Sequence, residues 1–247
     1  MKSEKPKNKS GIFHFKQFSV IQDRCAMKVG TDGVLLGAWA NVNGSTTALD
    51  IGTGTGVIAM MLAQRNRELV VHAVDIDPES CLQASENMNT SLFSARLTVF
   101  HASIQEHALT SGFKYDLIVS NPPFFSASML SATEPQQHAR HTTKLSHEDL
   151  LTAVQHLLKP DGRFCLILPI VEGKKITNTA ERFGLYCSAC TEVSSKYGKP
   201  PERLLLQFEF KENSDLQTET ITILAGEGRH NYTEKYTELL RDFYTIL

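Results

Sequence analysis

Hydrophobic and polar positions along the chain follow two periods in turn. Short apolar runs at 46–51, 69–75, 96–101, 115–120 and 163–168 read as strands, and the segments between them have helical spacing. Strands alternating with helices predict a parallel sheet with crossover helices. Ahead of this pattern, 12–22 alternates like a short hairpin, and 31–40 has helical spacing with Thr31 or Asp32 as its cap. Two later helix starts are marked more strongly. Asp77-Pro78-Glu79 sets a cap residue before a proline at the first helical position, and Ser146 with Asp149 resembles a capping box with an acid in place of Glu or Gln. Lys159-Pro160-Asp161-Gly162 ends the second of these helices and turns the chain into the next strand. Two β-rich runs, 185–193 and 204–210, joined by Tyr197-Gly198-Lys199-Pro200-Pro201, suit an antiparallel pair closing the sheet. A strand at 220–224 and a helix at 233–245 complete the pattern.

The 247 residues are 41% apolar and 21% charged, which suits a globular chain that needs neither disulfides nor a structural metal to fold. With no internal repeat and no linker, the expected organisation is a basic disordered tail (1–10) followed by a single domain (11–247) whose segment 11–44 is an N-terminal extension. The longest apolar stretches, 57–63 and 165–171, fall far short of the roughly 18 residues of a membrane helix. The lysine-bearing start lacks the apolar region of a secretory signal, so the expectation is a cytoplasmic protein with no membrane partner. Five cysteines fit no framework, and Cys187 and Cys190 lack companions for zinc, so packed free thiols and no metal are expected. The net charge of −2 hides an asymmetry: residues 1–30 carry seven basic and two acidic groups, and the rest carry 18 and 25. A polyanion would therefore be gripped locally, with Lys9 and Lys16 as candidates in the basic segment, rather than by a uniformly basic body.

Candidate chemistry begins at Asp50-Ile51-Gly52-Thr53-Gly54-Thr55-Gly56, directly after a strand and opening a helix. Glycines there allow a sharp turn and let a ligand lie against bare main chain. A dinucleotide fingerprint from Gly52 would need glycine where Val57 stands, and no Gly-Lys-Ser/Thr follows to cradle a triphosphate. A second acid, Asp75, ends the next strand, where it can accept hydrogen bonds from both ribose hydroxyls of a nucleoside. A glycine loop (Gly52, Gly54, Gly56) between Asp50 and Asp75, without a phosphate grip, points to S-adenosylmethionine. Asn121-Pro122-Pro123-Phe124 follows the strand 115–120. In an open parallel sheet this places Asn121 beside the glycine loop. Prolines fix the backbone, and the Asn121 side-chain oxygen with the Pro122 carbonyl forms two acceptors for one NH2 group. An aromatic amine or amide is a poor nucleophile, and acceptors on its hydrogens favour the geometry that presents its lone pair. Phe124 offers a face on which a planar substrate stacks.

These two motifs resemble those of class I methyltransferases that modify an exocyclic adenine amine or a glutamine amide. Phe15-Lys16-Gln17-Phe18, the run 23–39 (DRCAMKVGTDGVLLGAW) and the ending from Asn231 narrow the resemblance to bacterial tRNA1(Val) (adenine-37 N6)-methyltransferases. The resemblance implies an α/β, Rossmann-like class I methyltransferase fold: a mostly parallel seven-stranded sheet with one antiparallel strand and helices on both faces. It places Lys28, Thr31 and Asp32 beside the methionine end of the cofactor, Asp75 on its ribose, and residue 103 near its adenine. At that last position the family has an acid and this chain has Ser103. The reaction it implies is methyl transfer from S-adenosylmethionine to an adenine N6 in a tRNA anticodon loop, with catalytic Asn121, Pro122, Pro123 and Phe124 and no obligate protein partner. The polar stretch 125–145 supplies Arg140 and Lys144 as RNA contacts, and Lys196, Lys199 and Arg203 around the later Pro-Pro loop are a second set. The rival activities are protein glutamine N5-methylation and, from another class, a noncatalytic RNA-binding module. An NAD oxidoreductase is disfavoured by Val57.

Overall fold

The computed structural model describes residues 11–123, 145–212, 216–228 and 230–247. A hairpin of β1 (Ile12–His14) and β2 (Ser19–Ile21) leads into α1 (Thr31–Trp39). There follow β3 (Thr47–Ile51), α2 (Val57–Arg65), β4 (Val70–Asp75), α3 (Pro78–Asn89), β5 (Leu97–His101), α4 (Ile104–Thr110) and β6 (Tyr115–Ser120). The second half runs α5 (His147–Leu157), β7 (Leu158–Pro169), α6 (Ile170–Ala180), β8 (Tyr186–Lys196), β9 (Arg203–Glu209), β10 (Gln217–Leu224) and α7 (Glu234–Leu240).

The large sheet has the order β10-β8-β9-β7-β6-β3-β4-β5. Only β9 runs against its neighbours; the other pairings are parallel. The Rossmann-like class is as expected, with one strand more than the seven expected, because β10 adds in parallel to β8 at the edge. Alternation along the strands sends Ala48, Leu117, Val119, Cys165 and Ile167 to the face covered by α1, α2, α3 and α7. Their neighbours Leu49, Ile51, Ile118, Phe164 and Leu166 go to the face covered by α4, α5 and α6. Both faces are buried, as parallel sheets require.

Local chemistry sets the ends. Asp77 caps α3 by accepting from the Ser80 amide at 2.9 Å, and Ser146 caps α5 by accepting from the Asp149 amide at 3.0 Å. The expected cap of α1 is corrected: the cap position is Gly30, and Thr31 and Asp32 are the first two helical residues. Lys159–Gly162 is not a free turn but a bulge inside β7, between Leu158 paired to Tyr115 and Arg163 paired to Leu117. Glycine is required at 162, because a Cβ there would stand 2.9 Å from the Tyr115 carbonyl. Helices α1 and α2 touch closely for the same reason at Gly37, where a Cβ would meet Met61 Sδ at 2.9 Å. All five cysteines are free; burial pushes the Cys81 thiol up to about 11 and Cys165 to about 12, which keeps them protonated and unreactive. Among the described residues no helix is long and apolar enough to cross a membrane.

Asp116, at the start of β6, ties three strands together at the edge opposite the glycine loop. Its Oδ2 accepts from the amides of Thr46 and Thr47 at 2.9 and 3.0 Å and from both hydroxyls, and Oδ1 accepts from Lys159 Nζ at 2.8 Å. Burial alone would raise its pKa, but Lys159 and the Thr46 and Thr47 donors outweigh it and hold the carboxyl well below the usual carboxylate range. A depressed pKa stabilises the fold above the unfolded value of about 4 and loses that contribution as pH falls. Asp116→Ala should therefore cost about 1 to 3 kcal/mol at pH 7 in urea unfolding, and the gap to wild type should narrow as the pH is lowered through 4.

Candidate active site

Strands β3 and β6 lie side by side, and their crossovers leave in opposite directions: β3 leads toward β4 and β6 toward β7. A crevice opens at such a reversal, outside the carboxyl ends of the strands. The Ser120 hydroxyl donates to the Ile51 carbonyl at 3.0 Å and staples the two strand ends level, so Asn121 and the glycine loop leave the sheet at the same height.

The loop folds over the end of β4. The amides of Gly52 and Thr53 donate to the Val74 carbonyl at 2.8 and 3.2 Å, and the Gly54 amide donates to Asp75 Oδ2 at 2.8 Å. Gly52, Gly54 and Gly56 have φ of +71°, +55° and +81°, a region that costs an L side chain about 1 to 2 kcal/mol. The three have different surroundings. A Cβ on Gly52 or Gly54 would meet nothing within 4 Å, so both present bare backbone to open space, whereas one on Gly56 would stand 3.0 Å from Met88 Cε on α3. Two glycines make a cradle and the third lets helices pack.

Asp75 is half-buried, with Oδ1 accepting from the Asp77 amide at 3.0 Å. Burial raises its pKa, and the amides of Asp77 and Gly54 oppose that. Asp50 differs from its expected role as a cofactor contact: it has no exposed surface and lies behind the loop. Its Oδ2 accepts from the Thr53 hydroxyl at 2.6 Å, while Oδ1 makes no hydrogen bond with any described residue. Burial pushes the carboxyl up to about 7, against the Thr53 hydroxyl and the Ala59 amide, which favour the charged form. Asp50 shapes the loop from below.

Asn121 is half-buried, Pro122 buried and Pro123 exposed. The first turns of α1 and α2 close on this corner: a Cβ on Gly33 would stand 3.8 Å from both Asn121 Nδ2 and Ile58. Asp32 sits one residue before Gly33 and accepts from Arg203 Nε at 2.9 Å, while Lys28 and Thr31 are exposed nearby in sequence. Ser103 follows the end of β5 and caps α4, with a reciprocal box in which its amide and hydroxyl donate to Glu106 Oε2 at 3.0 and 2.8 Å. The carboxylate missing from position 103 is therefore present one helical turn on. The structure thus gathers Asp32, Gly52, Gly54, Asp75, Ser103 and Asn121 along the carboxyl edge of β3–β6.

The expected RNA contacts fare differently. Lys16 is exposed, and its Nζ donates to the main-chain oxygens of Arg241 and Leu247 at 2.5 and 2.9 Å. Lys196 pairs with Glu227 at 3.4 Å, and Arg203 turns to Asp32. Lys199 is exposed in the β8–β9 loop. Lys9, Phe124, Arg140 and Lys144 lie outside the described residues. Sequence reasoning missed Ser120 and Asn87; the Asn87 amide holds the Thr55 carbonyl and both main-chain groups of Ile21, binding the loop to the N-terminal hairpin. No local signal marks either.

A nucleoside carrying an amino-acid tail fits this edge: open backbone at Gly52 and Gly54, a carboxylate for ribose hydroxyls at Asp75, and a second carboxylate, Asp32, for an ammonium. The buried Asp50 also yields a test of the loop. A raised pKa means the folded state holds a proton that the unfolded chain releases, so stability falls as pH rises from about 4 to about 7. Between pH 5 and 8, wild type should lose about 2 to 3 kcal/mol relative to Asp50→Asn in urea unfolding; parallel curves would show that Asp50 ionises normally.

Residues 29–184 match the family described as methyltransferase small domain. The tRNA1(Val) (adenine(37)-N6)-methyltransferase of Trichodesmium erythraeum is 44% identical over 234 residues, covering 94% of this chain and 97% of the relative. That of Proteus mirabilis is 39% identical over 251 residues, covering 99% of each. Among solved structures, a predicted O-methyltransferase of Agrobacterium tumefaciens superposes with a TM-score of 0.65 at 19% identity, over 86% of this chain and 96% of that one, a likeness of fold. With glycine cradle, strand-end acid and Asn-Pro-Pro corner at one edge and such identity along nearly its whole length, this chain belongs to the tRNA1(Val) (adenine(37)-N6)-methyltransferase family.

Proposed function

We propose that the protein transfers a methyl group from S-adenosylmethionine to the N6 amine of adenine-37 in the anticodon loop of a valine tRNA. The observation that carries this reading is the Asn121-Pro122 corner, held level with the glycine cradle by the Ser120–Ile51 bond and enclosed by the first turn of α1. Relatives 39–44% identical carry that activity in their names, which supports the choice of substrate.

The cofactor, when bound, supplies a methyl group on a positively charged sulfur. Gly52 and Gly54 would offer it backbone without side chains, and Asp75 would hold its ribose hydroxyls. The adenine amine is a weak nucleophile because its lone pair is delocalised into the ring. Asn121 Oδ1 and the Pro122 carbonyl each accept one amine hydrogen, which draws the nitrogen toward the pyramidal form with its lone pair forward. Pro123 holds this corner rigid, since its ring removes an amide donor and fixes φ. Phe124, next after the corner, is the candidate to stack on the base. The target adenine has to leave the stack of the anticodon loop to reach the corner, and single-stranded loops allow this at low cost. The proton shed by the methylated amine would leave to water. Much of the acceleration comes from holding amine and methyl in line. Lys199, Arg140, Lys144 and Lys9 are the candidates for RNA phosphate.

Asn121→Ala should lower the single-turnover rate about 10² to 10³-fold at saturating cofactor and tRNA, by analogy with losing one preorganised hydrogen-bonding group; undiminished turnover would sink the corner's role. Mass spectrometry of tRNA nucleosides from cells with and without the gene should show N6-methyladenosine lost from the valine tRNA. RNA affinity should fall by about 0.7 log units per log salt for each single-strand phosphate neutralised. A flat salt response with label on protein glutamine would favour the rival amide substrate.

A further inference from the structure

Arg203 opens β9 opposite Pro169, the last residue of β7, so it stands at the same carboxyl edge of the sheet as Asn121. Its Nε donates to Asp32 Oδ2 at 2.9 Å across 171 positions of sequence, and its Nη1 donates to the Glu202 carbonyl at 3.1 Å. Both side chains of the ion pair are largely shielded, with exposures of 30% and 25%, where water screens a charge pair less than on the open surface. The far end of α1 is tied to the same strand pair, by Trp39 Nε1 donating to the Thr191 hydroxyl at 3.1 Å. Helix α1, which packs on α2 and β7, therefore has a polar contact to β9 at its first turn and one to β8 at its far end. The N-terminal contact is the one that borders the site, since the next residue, Gly33, lies beside Asn121, whose Nδ2 would be 3.8 Å from a Cβ there.

We infer that Arg203 is a positioning residue: it fixes the Asp32 carboxylate and the first turn of α1 for the amino-acid end of the cofactor, rather than gripping RNA phosphate. This rests on the proposed methyl donor, whose amino-acid end carries an ammonium that requires an acceptor near the corner. Asp32 without its guanidinium would keep its charge but lose the bond that selects its rotamer. The pair is neutral overall, which weakens Arg203 as an anchor for a polyanion.

The test is calorimetric titration of S-adenosylhomocysteine, which shares the amino-acid end, into wild type, Arg203→Met, Arg203→Lys, Asp32→Asn and the Arg203→Met/Asp32→Asn double variant, with the salt dependence of tRNA binding measured in parallel. Arg203→Met should weaken the ligand about tenfold and Arg203→Lys should recover most of the loss. In the double variant the losses should be less than additive, and the tRNA salt slope should stay at the wild-type value. Trp39→Phe, which loosens only the far end of α1, should leave ligand affinity unchanged. The inference is overturned by additive losses, by unchanged ligand affinity in Arg203→Met, or by a salt slope reduced by about 0.7 in that variant, the mark of a lost phosphate contact. It also fails if Trp39→Phe matches Arg203→Met, since the effect would then be general loosening of α1. Wild type that binds the ligand but labels no tRNA would sink the substrate assignment and leave the Arg203 result standing; wild type that does not bind it overturns both.

Discussion

The site depends on one backbone constraint: the chain leaving β3 has to bend over the end of β4 and start α2 within five residues. Three left-handed positions make the bend, and side-chain-free backbone at two of them is what leaves room for a ligand. The bend is held by acceptors on β4, the Val74 carbonyl and Asp75, so the carboxylate proposed for ribose also fixes the loop that faces it. Binding and shape share the same atoms.

Behind the loop, the buried Asp50 gives this arrangement a cost. A carboxyl with one oxygen on Thr53 and the other without a partner destabilises the fold when ionised. Its persistence is understandable as a support that turns Thr53 inward and keeps the flanking glycines outward. Strain and unsatisfied groups commonly gather where a site is held ready for ligand.

Much of this was legible in the sequence because it rests on short-range chemistry. Strand–helix alternation, the caps Asp77 and Ser146, the glycine spacing and the Asn-Pro-Pro corner are all patterns spanning a few residues, and they fell where expected. Less legible are features whose partners are distant in the chain or whose backbone pairing overrides a local signal. Thr31 and Asp32 look like caps, yet the helix starts at Thr31 because the Gly30 carbonyl accepts the Val34 amide, and Asp32 is bonded to Arg203 instead. Lys16, Lys196 and Arg203 look like free cations because nothing nearby reveals their acceptors at 241, 247, 227 and 32. Asp50 looks like a ligand contact because its motif adjoins the cradle, and only burial separates support from contact. Strand β10 pairs at the edge, where no local feature distinguishes an eighth strand from a tail.

The hold of Lys16 on the Arg241 and Leu247 main-chain oxygens, beside the Phe15–Tyr244 bridge, bears on how the protein folds. The hairpin and its docking partners are separated by 225 and 231 positions of sequence. Until they dock, Phe13 and Phe15 lack the Tyr244 side of their aromatic cluster. Such closure between distant segments slows folding. Closure of this corner therefore joins two segments that no local structure brings together, and a chain in which it is still open leaves one side of Phe13 and Phe15 uncovered.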